Sequence, residues 1–217
     1  MHRRCSLLVL PAALLAAAAA ARPAAAQQQQ AQPQLSPQDR ADIARAEAWL
    51  NNLRSLKARF LQIAPAGAAA EGTAWIVRPG RMRFEYDAEP LLLVAAHGQF
   101  FYFDKAMKQP TTLPLSSTPL GLLLRDNLRL SGDVTVSRVE RGGGFVRITL
   151  HRTSQAAEGR LTLVFSENPF ELRQWVVLDA QGRETRVSLY QPEYGGRYPE
   201  LLFNFNDPRF REELGIQ

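Results

Sequence analysis

Residues 72–86 have the sequence GTAWIVRPGRMRFEY, and this stretch decides the fold. Its second half alternates as a strand does, and the apolar members of one face are Met82, Phe84 and Tyr86. The other face carries charged side chains that we expect to meet water, namely Arg81, Arg83 and Glu85. Pro79-Gly80 supplies a turn between the two halves. The stretch therefore predicts a β-hairpin with one buried face.

Arg78 interrupts the pattern of the first strand of this hairpin. It shares a face with Ala74 and Ile76, so the face that buries Ile76 also receives a guanidinium group. An unpaired buried charge is strongly destabilising. Arg78 therefore either finds hydrogen-bond partners inside the protein or leans into solvent beside Pro79, and the strand pattern leaves both interpretations open.

Short segments with a strand rhythm continue on both sides of the hairpin. The predicted strands cover residues 56–60, 72–78, 81–86, 91–96, 99–104, 108–113, 134–140, 145–151, 161–166, 172–178 and 184–190. Turn pairs such as His97-Gly98 and Gln181-Gly182 separate them, and most neighbours have no helical crossover between them, which indicates antiparallel pairing. A sheet of about eleven strands must curl or close on itself.

A helix is predicted ahead of the first strand. Ser36 and Asp39 form a capping box, and Pro37 suits the first helical position. One apolar stripe follows at spacings of three and four residues and consists of Ile43, Ala46, Leu50 and Leu53. The residues off this stripe, which we expect to face solvent, include Asp42, Arg45 and Asn52.

Residues 116–127 depart from the strand rhythm. Thr118 and Pro119 are typical of the cap and first position of a short helix. The leucines that follow cover most of the helix circumference and are Leu120, Leu122, Leu123 and Leu124. This pattern fits an ordinary core helix and equally a helix laid over a cavity.

The N-terminus has the composition of a secretory leader. His2, Arg3 and Arg4 precede an apolar run, and Ala24-Ala25-Ala26 offers a cleavage site before Gln27. We therefore expect a signal peptide at 1–26, a flexible Gln- and Pro-rich linker at 27–35 and one folded domain at 36–217, located in the periplasm.

Charge and cysteine content exclude several classes of protein. Cleavage after Ala26 would remove Cys5, the one cysteine, and three of the 26 basic residues, so the net charge falls from +5 to 23 − 21 = +2. The arginines that remain are scattered, and no Lys/Arg cluster points to nucleic acid. Neither disulfides nor thiolate metal sites are expected.

Catalytic signatures are absent from the sequence. Only His97 and His151 remain after residue 26, and neither belongs to a recognisable metal or nucleophile motif. Glu85, Asp87 and Glu89 form the one carboxylate cluster, for which a solvated loop, a weak calcium site and acid–base catalysis are the alternatives. We expect a solvated loop, no metal, no cofactor and no enzymatic activity.

Residues 55–62, 72–86 and 114–120 together resemble a known family, the outer-membrane lipoprotein carriers of LolA type. The resemblance continues through Phe203-Asn204-Phe205 to Pro208, and its most specific part is the run from Arg78 to Tyr86. It implies an α+β fold, an incomplete, half-open antiparallel β-barrel whose apolar cavity is covered by the N-terminal helix and a short lid helix.

The resemblance also implies function and partners. Members carry the acyl chains of lipoproteins released by an inner-membrane ABC transporter to an outer-membrane acceptor, with or without a dedicated receptor. Arg78 matches the arginine that hydrogen-bonds the closed lid, Phe84 matches the cavity wall, and residues 119–124 match part of the lid. The expected acyl-binding residues are Arg78, Ile76, Met82, Phe84, Tyr86, Leu120, Leu123 and Leu124, in a monomer.

Two other functions use the same architecture and stay open at this point. One is a periplasmic carrier of a non-protein lipid, and the other is a lipid-sensing envelope adaptor that binds a regulatory protein. An adaptor would usually need a further domain.

Overall fold

The computed structural model describes residues 34–104, 106, 108–206 and 208–213. The predicted signal peptide and nearly all of the predicted linker lie outside these residues. The helices are α1 Pro37–Asn52, α2 Pro119–Leu123 and α3 Pro208–Glu213. The strands are β1 Ser55–Ile63, β2 Ala69–Val77, β3 Arg81–Tyr86, β4 Leu91–Ala96, β5 Gln99–Asp104, β6 Gln109–Pro114, β7 Val134–Gly142, β8 Phe145–Arg152, β9 Gly159–Glu167, β10 Phe170–Asp179 and β11 Glu184–Tyr194.

In the described part of the chain, eleven strands form a single sheet in the order β6-β5-β4-β3-β2-β1-β11-β10-β9-β8-β7. Every neighbouring pair is antiparallel. The sheet consists of two meanders, β1 to β6 and β7 to β11, which are joined where β1 pairs with β11. Strands β6 and β7 each have one partner strand among the described residues, so the sheet is open. The half-open antiparallel architecture predicted from the sequence is confirmed.

Helix α1 begins as its sequence predicts. Ser36 Oγ accepts a hydrogen bond from Asp39 N at 3.1 Å, and Ser36 N donates to Asp39 Oδ2 at 2.8 Å. Ala46 and Leu50 of the apolar stripe are buried, and Trp49 packs edge-on against Phe165 of β9 with ring centroids 5.8 Å apart. The helix thus covers the inner face of the sheet, defined here as the face that carries Phe60, Phe84 and Ile148.

The expectation that Asp42 faces solvent is wrong. Its side chain is buried, and Arg141 of β7 donates from Nε to Asp42 Oδ2 at 2.6 Å and from Nη2 to Asp39 Oδ1 at 2.8 Å. Arg45 lies within 3.7 Å of Asp42 as well. The polar side of α1 is therefore fastened to the end of β7 by a partly buried ion-pair network, which a helical pattern alone does not predict.

Replacing Arg141 with leucine should lower the free energy of unfolding by about 2–3 kcal/mol, because Asp42 then keeps a buried charge with only the solvent-exposed Arg45, 3.7 Å away, to balance it. Urea denaturation measures the loss. Arg138→Leu is the matched control, since Arg138 lies on the same strand and pairs with Glu140 at 3.0 Å in solvent; it should cost well under about 1 kcal/mol. Equal losses of stability in the two variants would contradict a stabilising role for the buried contact between Arg141 and Asp42.

The outer face of β3 to β5 is also buried, which corrects a second expectation. Arg83 does not meet water: it is 5% exposed and donates from Nη1 to the carbonyl of Leu202 at 3.2 Å. The C-terminal segment places Phe203 on this face, and Phe205 stacks on Phe101 with centroids 4.8 Å apart. Strand β4 is consequently apolar on both faces, as its sequence LLLVAA requires.

Candidate functional site

The predicted cavity wall lies on the inner face of neighbouring strands. Ile76 of β2 pairs with Met82 of β3, and Ala74 of β2 pairs with Phe84, so these side chains form adjacent rows on one side of the sheet. Tyr86 continues the same face. The four predicted wall residues are each at most 5% exposed and belong to one apolar cluster: Ile76, Met82, Phe84 and Tyr86.

Aromatic rings fill the centre of this wall. Phe60 of β1 lies 4.8 Å from Phe84 and 5.0 Å from Tyr86, measured between ring centroids, and Trp175 of β10 lies 6.0 Å from Phe84. Sequence reasoning did not assign Trp175 to the site. A β-bulge between Leu172 and Gln174 shifts the alternation of β10, so simple period-two counting conceals the direction of Trp175.

The segment in which the lid is predicted covers residues 115–124 and is called the lid below. It consists of a 3-10 turn at Leu115–Ser117 followed by α2 and the C-cap residue Leu124. Thr118 caps α2 by accepting a hydrogen bond from Gly121 N at 3.1 Å. Gly121 is required there, because a Cβ atom would meet the carbonyl oxygen of Leu115 at 2.1 Å. Of the predicted lid residues, Leu123 and Leu124 are buried and Leu120 is half-buried against the inner cluster.

Arg78 points inward and is 8% exposed, which resolves the alternative left open by the strand pattern. Its Nη2 donates to the carbonyl of Arg125, directly after the lid, and lies 3.5 Å from Asn51 Oδ1. Beside it, Gly80 N donates to the carbonyl of Leu124 at 2.9 Å. Arg78 thus bonds Arg125, the residue that follows Leu124, whereas the resemblance implies a bond to the lid itself.

The Arg78 guanidinium is only partly satisfied. Its Nε and Nη1 are buried without a hydrogen-bond partner. Burial lowers the pKa of Arg78, while the charge of Asp126 opposes this shift. Buried donors without partners make the contact between Arg78 and Arg125 less stabilising than a fully bonded guanidinium would be.

A cavity of about 340 Å³ lies beside the lid, at the ends of β8 to β10. Its apolar lining comes from the lid residue Leu122 and from the sheet, with Leu150, Leu161 and Val177 among the contributors. Charged side chains surround the mouth, including Arg152, Arg160 and Glu158. The inner apolar wall is thus mostly filled by its own side chains, with open space next to α2.

One polar pair lies within the apolar wall. Tyr86 donates its hydroxyl hydrogen to Gln62 Oε1 at 2.8 Å. Burial, reinforced by the neighbouring Tyr102, raises the pKa of Tyr86 to about 12, against the opposing effect of the Gln62 hydrogen bond. The hydroxyl therefore stays protonated at neutral pH and adds no charge to the wall.

The inner wall extends past the lid toward the β6 edge. Leu93 pairs with Tyr102, which is 40% exposed, and Phe100 pairs with Leu113, which is 45% exposed. The inner-face side chains are fully buried at β2 and β3 and become more exposed toward β5 and β6. The apolar surface is larger than the part that the lid covers.

The remaining candidate residues do not converge. Asp87 is held by two hydrogen bonds from Arg59, which lower the pKa of its carboxyl group, and Glu85 pairs with Arg83 at 3.2 Å. His97 lies exposed in a turn, and His151 lines the cavity mouth. Among the described residues, no group of three or more His, Cys, Asp or Glu side chains is placed to hold a metal ion.

Within residues 34–213, as far as they are described, no helix is both long and apolar enough to cross a membrane.

Comparison with known proteins gives relatives in sequence and in fold. A curated outer-membrane lipoprotein carrier protein from Legionella pneumophila is 26% identical, over 79% of this chain and 88% of the relative. Among solved structures, an outer membrane lipoprotein-sorting protein domain from Vibrio parahaemolyticus has 10% identity and a TM-score of 0.48, over 76% of this chain and 96% of the other. The Pseudomonas aeruginosa MucA/MucB complex has 16% identity and a TM-score of 0.43, over 74% and 60%.

A family model gives the assignment. The model described as outer membrane lipoprotein carrier protein LolA matches residues 51–206. This range contains the whole sheet, the lid and Arg78. The match covers well over half of the chain, and the chain therefore belongs to the LolA family of outer membrane lipoprotein carrier proteins.

Proposed function

We propose that this protein is a periplasmic carrier that holds the acyl chains of lipoproteins released from the inner membrane and delivers them to the outer membrane. The observation that carries the proposal is an apolar, aromatic inner wall beneath a short lid that is fastened by polar contacts at Arg78 and Gly80. A ligand can displace such a lid if its own apolar groups replace the contacts between the lid and the inner wall. We also propose that the protein is a carrier without enzymatic activity.

The energetics of acyl chains explain why such a carrier needs a covered wall. Each methylene group taken out of water contributes about 0.8 kcal/mol, so a chain of about fourteen carbons contributes on the order of 10 kcal/mol. A lipoprotein with such chains does not cross an aqueous compartment unaided. A carrier with its wall exposed would aggregate, and in this protein the lid residues Leu122, Leu123 and Leu124 prevent that exposure.

The proposed partners follow from this route. An ABC transporter of the inner membrane would supply the acylated lipoprotein, and an outer-membrane acceptor, with or without a receptor lipoprotein, would take it. Residues 1–26 would act as the signal peptide, 27–35 as a linker and 36–217 as a monomeric carrier domain. The name of the Legionella pneumophila relative supports the same role.

Protein purified from the periplasm of native cells should begin at Gln27, where cleavage of the leader is predicted. It should carry acylated lipoprotein, because the inner wall around Phe84 is apolar and Arg78, the buried cation of this face, is bonded to the carbonyl of Arg125. Intact mass spectrometry and lipid analysis of the purified protein measure both. Free lipid without lipidated peptide would favour the non-protein lipid carrier, and a stoichiometric regulatory protein would favour the adaptor. A chain that retains Met1 would contradict the periplasmic location.

A further inference from the structure

The lid is attached to the rest of the protein very unequally along its two sides. On the side of α1 and of the β2–β3 and β4–β5 turns, backbone hydrogen bonds hold it: Leu115 N donates to Gly98 O of the β4–β5 turn at 2.8 Å, and Gly80 N of the β2–β3 turn donates to Leu124 O at 2.9 Å. Asn51 then holds the following segment, donating to Leu128 O at 3.0 Å and accepting from Leu128 N at 2.8 Å. We call this the anchored side.

The opposite side of the lid faces the ends of β8 to β10 and is held by far less. Here the Arg152 guanidinium of β8 donates to the carbonyl of Ser116, at an exposed position. In the described part of the chain it is the one hydrogen bond between residues 115–124 and strands β7 to β10. Directly after the lid, Arg125 also pairs with Asp133, which precedes β7, at 2.6 Å, and both side chains are partly or fully in solvent. This bond joins an arginine side chain to a neutral carbonyl at the surface, where water can replace either partner, so it opens more readily than the backbone bonds of the anchored side.

The cavity lies on this weakly held side. Ser117, Pro119 and Leu122 form its upper edge, and Leu150 and Leu161 form part of its apolar floor. The floor residues belong to the same apolar cluster as Phe84, so the floor of the cavity is continuous with the packed inner face of the sheet.

We infer that acyl chains enter between α2 and the ends of β8 to β10, and that Arg152 closes this entrance by its bond to Ser116. The inference rests on the proposed carrier function. Two arginines at opposite sides of the lid then have different roles. Arg78, buried on the anchored side, governs how stable the closed state is, and Arg152, exposed at the mouth, governs how fast the first acyl chain enters.

Two matched variants test the role of Arg152. Arg152→Ala removes the bond to Ser116 together with one positive charge, and Arg160→Ala removes one positive charge from the same mouth without a lid bond. With anthroyloxy-stearate as the probe, stopped-flow fluorescence should show association about fivefold faster for Arg152→Ala and near wild type for Arg160→Ala. Equal rates in the two variants would overturn the gating role.

Chemical cross-linking tests the position of the entrance. In a Cys5→Ser background, Ser116→Cys with Arg152→Cys, joined by bismaleimidoethane, should abolish or slow probe binding at least tenfold. Glu47→Cys with Arg129→Cys, which replaces an ion pair on the anchored side, should leave binding unchanged after the same treatment. Unhindered binding with the mouth closed would overturn the inference, and failure of the wild-type protein to bind the probe would overturn the carrier function itself.

Discussion

An Arg78→Leu variant should accept lipoprotein as the wild type does and then fail to release it. In the closed state Arg78 donates to the Arg125 carbonyl, and this bond is lost when cargo displaces the lid. Part of the binding free energy is therefore consumed in displacing the lid. This raises the free energy of the loaded state, so that transfer to the acceptor remains possible. Leucine cannot form the bond to the Arg125 carbonyl, and it adds an apolar side chain to the wall. The loaded state therefore becomes more stable relative to the empty state, so loading is retained and release to the acceptor slows.

The size of this effect follows from the nature of the bond. Hydrogen bonds to charged groups contribute roughly 1.5–3 kcal/mol, which corresponds to release slower by about 10- to 100-fold. Folding stability should change much less, because the unpartnered Nε and Nη1 of Arg78 are removed along with the bond. A two-step assay, with loading from inner-membrane vesicles and transfer to outer-membrane vesicles, separates the two steps.

Arg83→Leu is the control for this prediction. Arg83 belongs to the same hairpin, is as deeply buried, and also donates to a backbone carbonyl, but on the outer face beneath the C-terminal segment. It should lower the melting temperature and leave transfer by the folded protein unchanged. Normal delivery by Arg78→Leu would contradict a closing role for Arg78, and loss of loading with a lower melting temperature would make that residue structural.

Replacing Phe84 with aspartate should weaken acyl binding at least about 100-fold, because it places a carboxylate in the centre of the apolar wall. Phe84 is 2% exposed and in contact with Phe60 and Trp175. Loss of a buried phenylalanine alone costs about 3–5 kcal/mol of stability. Binding of anthroyloxy-stearate should therefore be measured beside circular dichroism of the same sample.

Two leucine variants keep this prediction testable if the aspartate variant does not fold. Phe84→Leu and Phe103→Leu make the same change on opposite faces of one sheet, at side chains 2% and 0% exposed. Both should lose similar stability, and only Phe84→Leu should reduce the affinity for the probe. Equal affinities in the two variants would mean that the acyl chain occupies another surface.

The local elements could be predicted because their chemistry is local. The capping box at Ser36, the cap at Thr118 and the strict alternation of 81–86 each specify a helix start or a strand face within a few residues. The wall residues Ile76, Met82 and Phe84 follow from that alternation once the hairpin is recognised. Arg78 was singled out for the same reason, since it is a charge on an apolar face.

What the sequence conceals depends on contacts between distant segments. Asp42 is buried only because Arg141 reaches it from β7, and Arg83 is buried only because the C-terminal segment covers it. Trp175 is hidden by a bulge, which has no reliable signature in a single sequence. The unequal attachment of the lid is likewise a property of its surroundings and not of residues 115–124.

The junction of β1 with β11 has a consequence for how the polypeptide acquires its structure. Phe60 pairs with Leu189, so the first strand is completed by the last, and a growing chain exposes one bare side of β1 until residues beyond Tyr194 have been made. Pairings between such distant segments form slowly. A nascent chain of this topology cannot complete its sheet until nearly all of it has been made, which suits a protein that, as proposed, crosses a membrane before it folds.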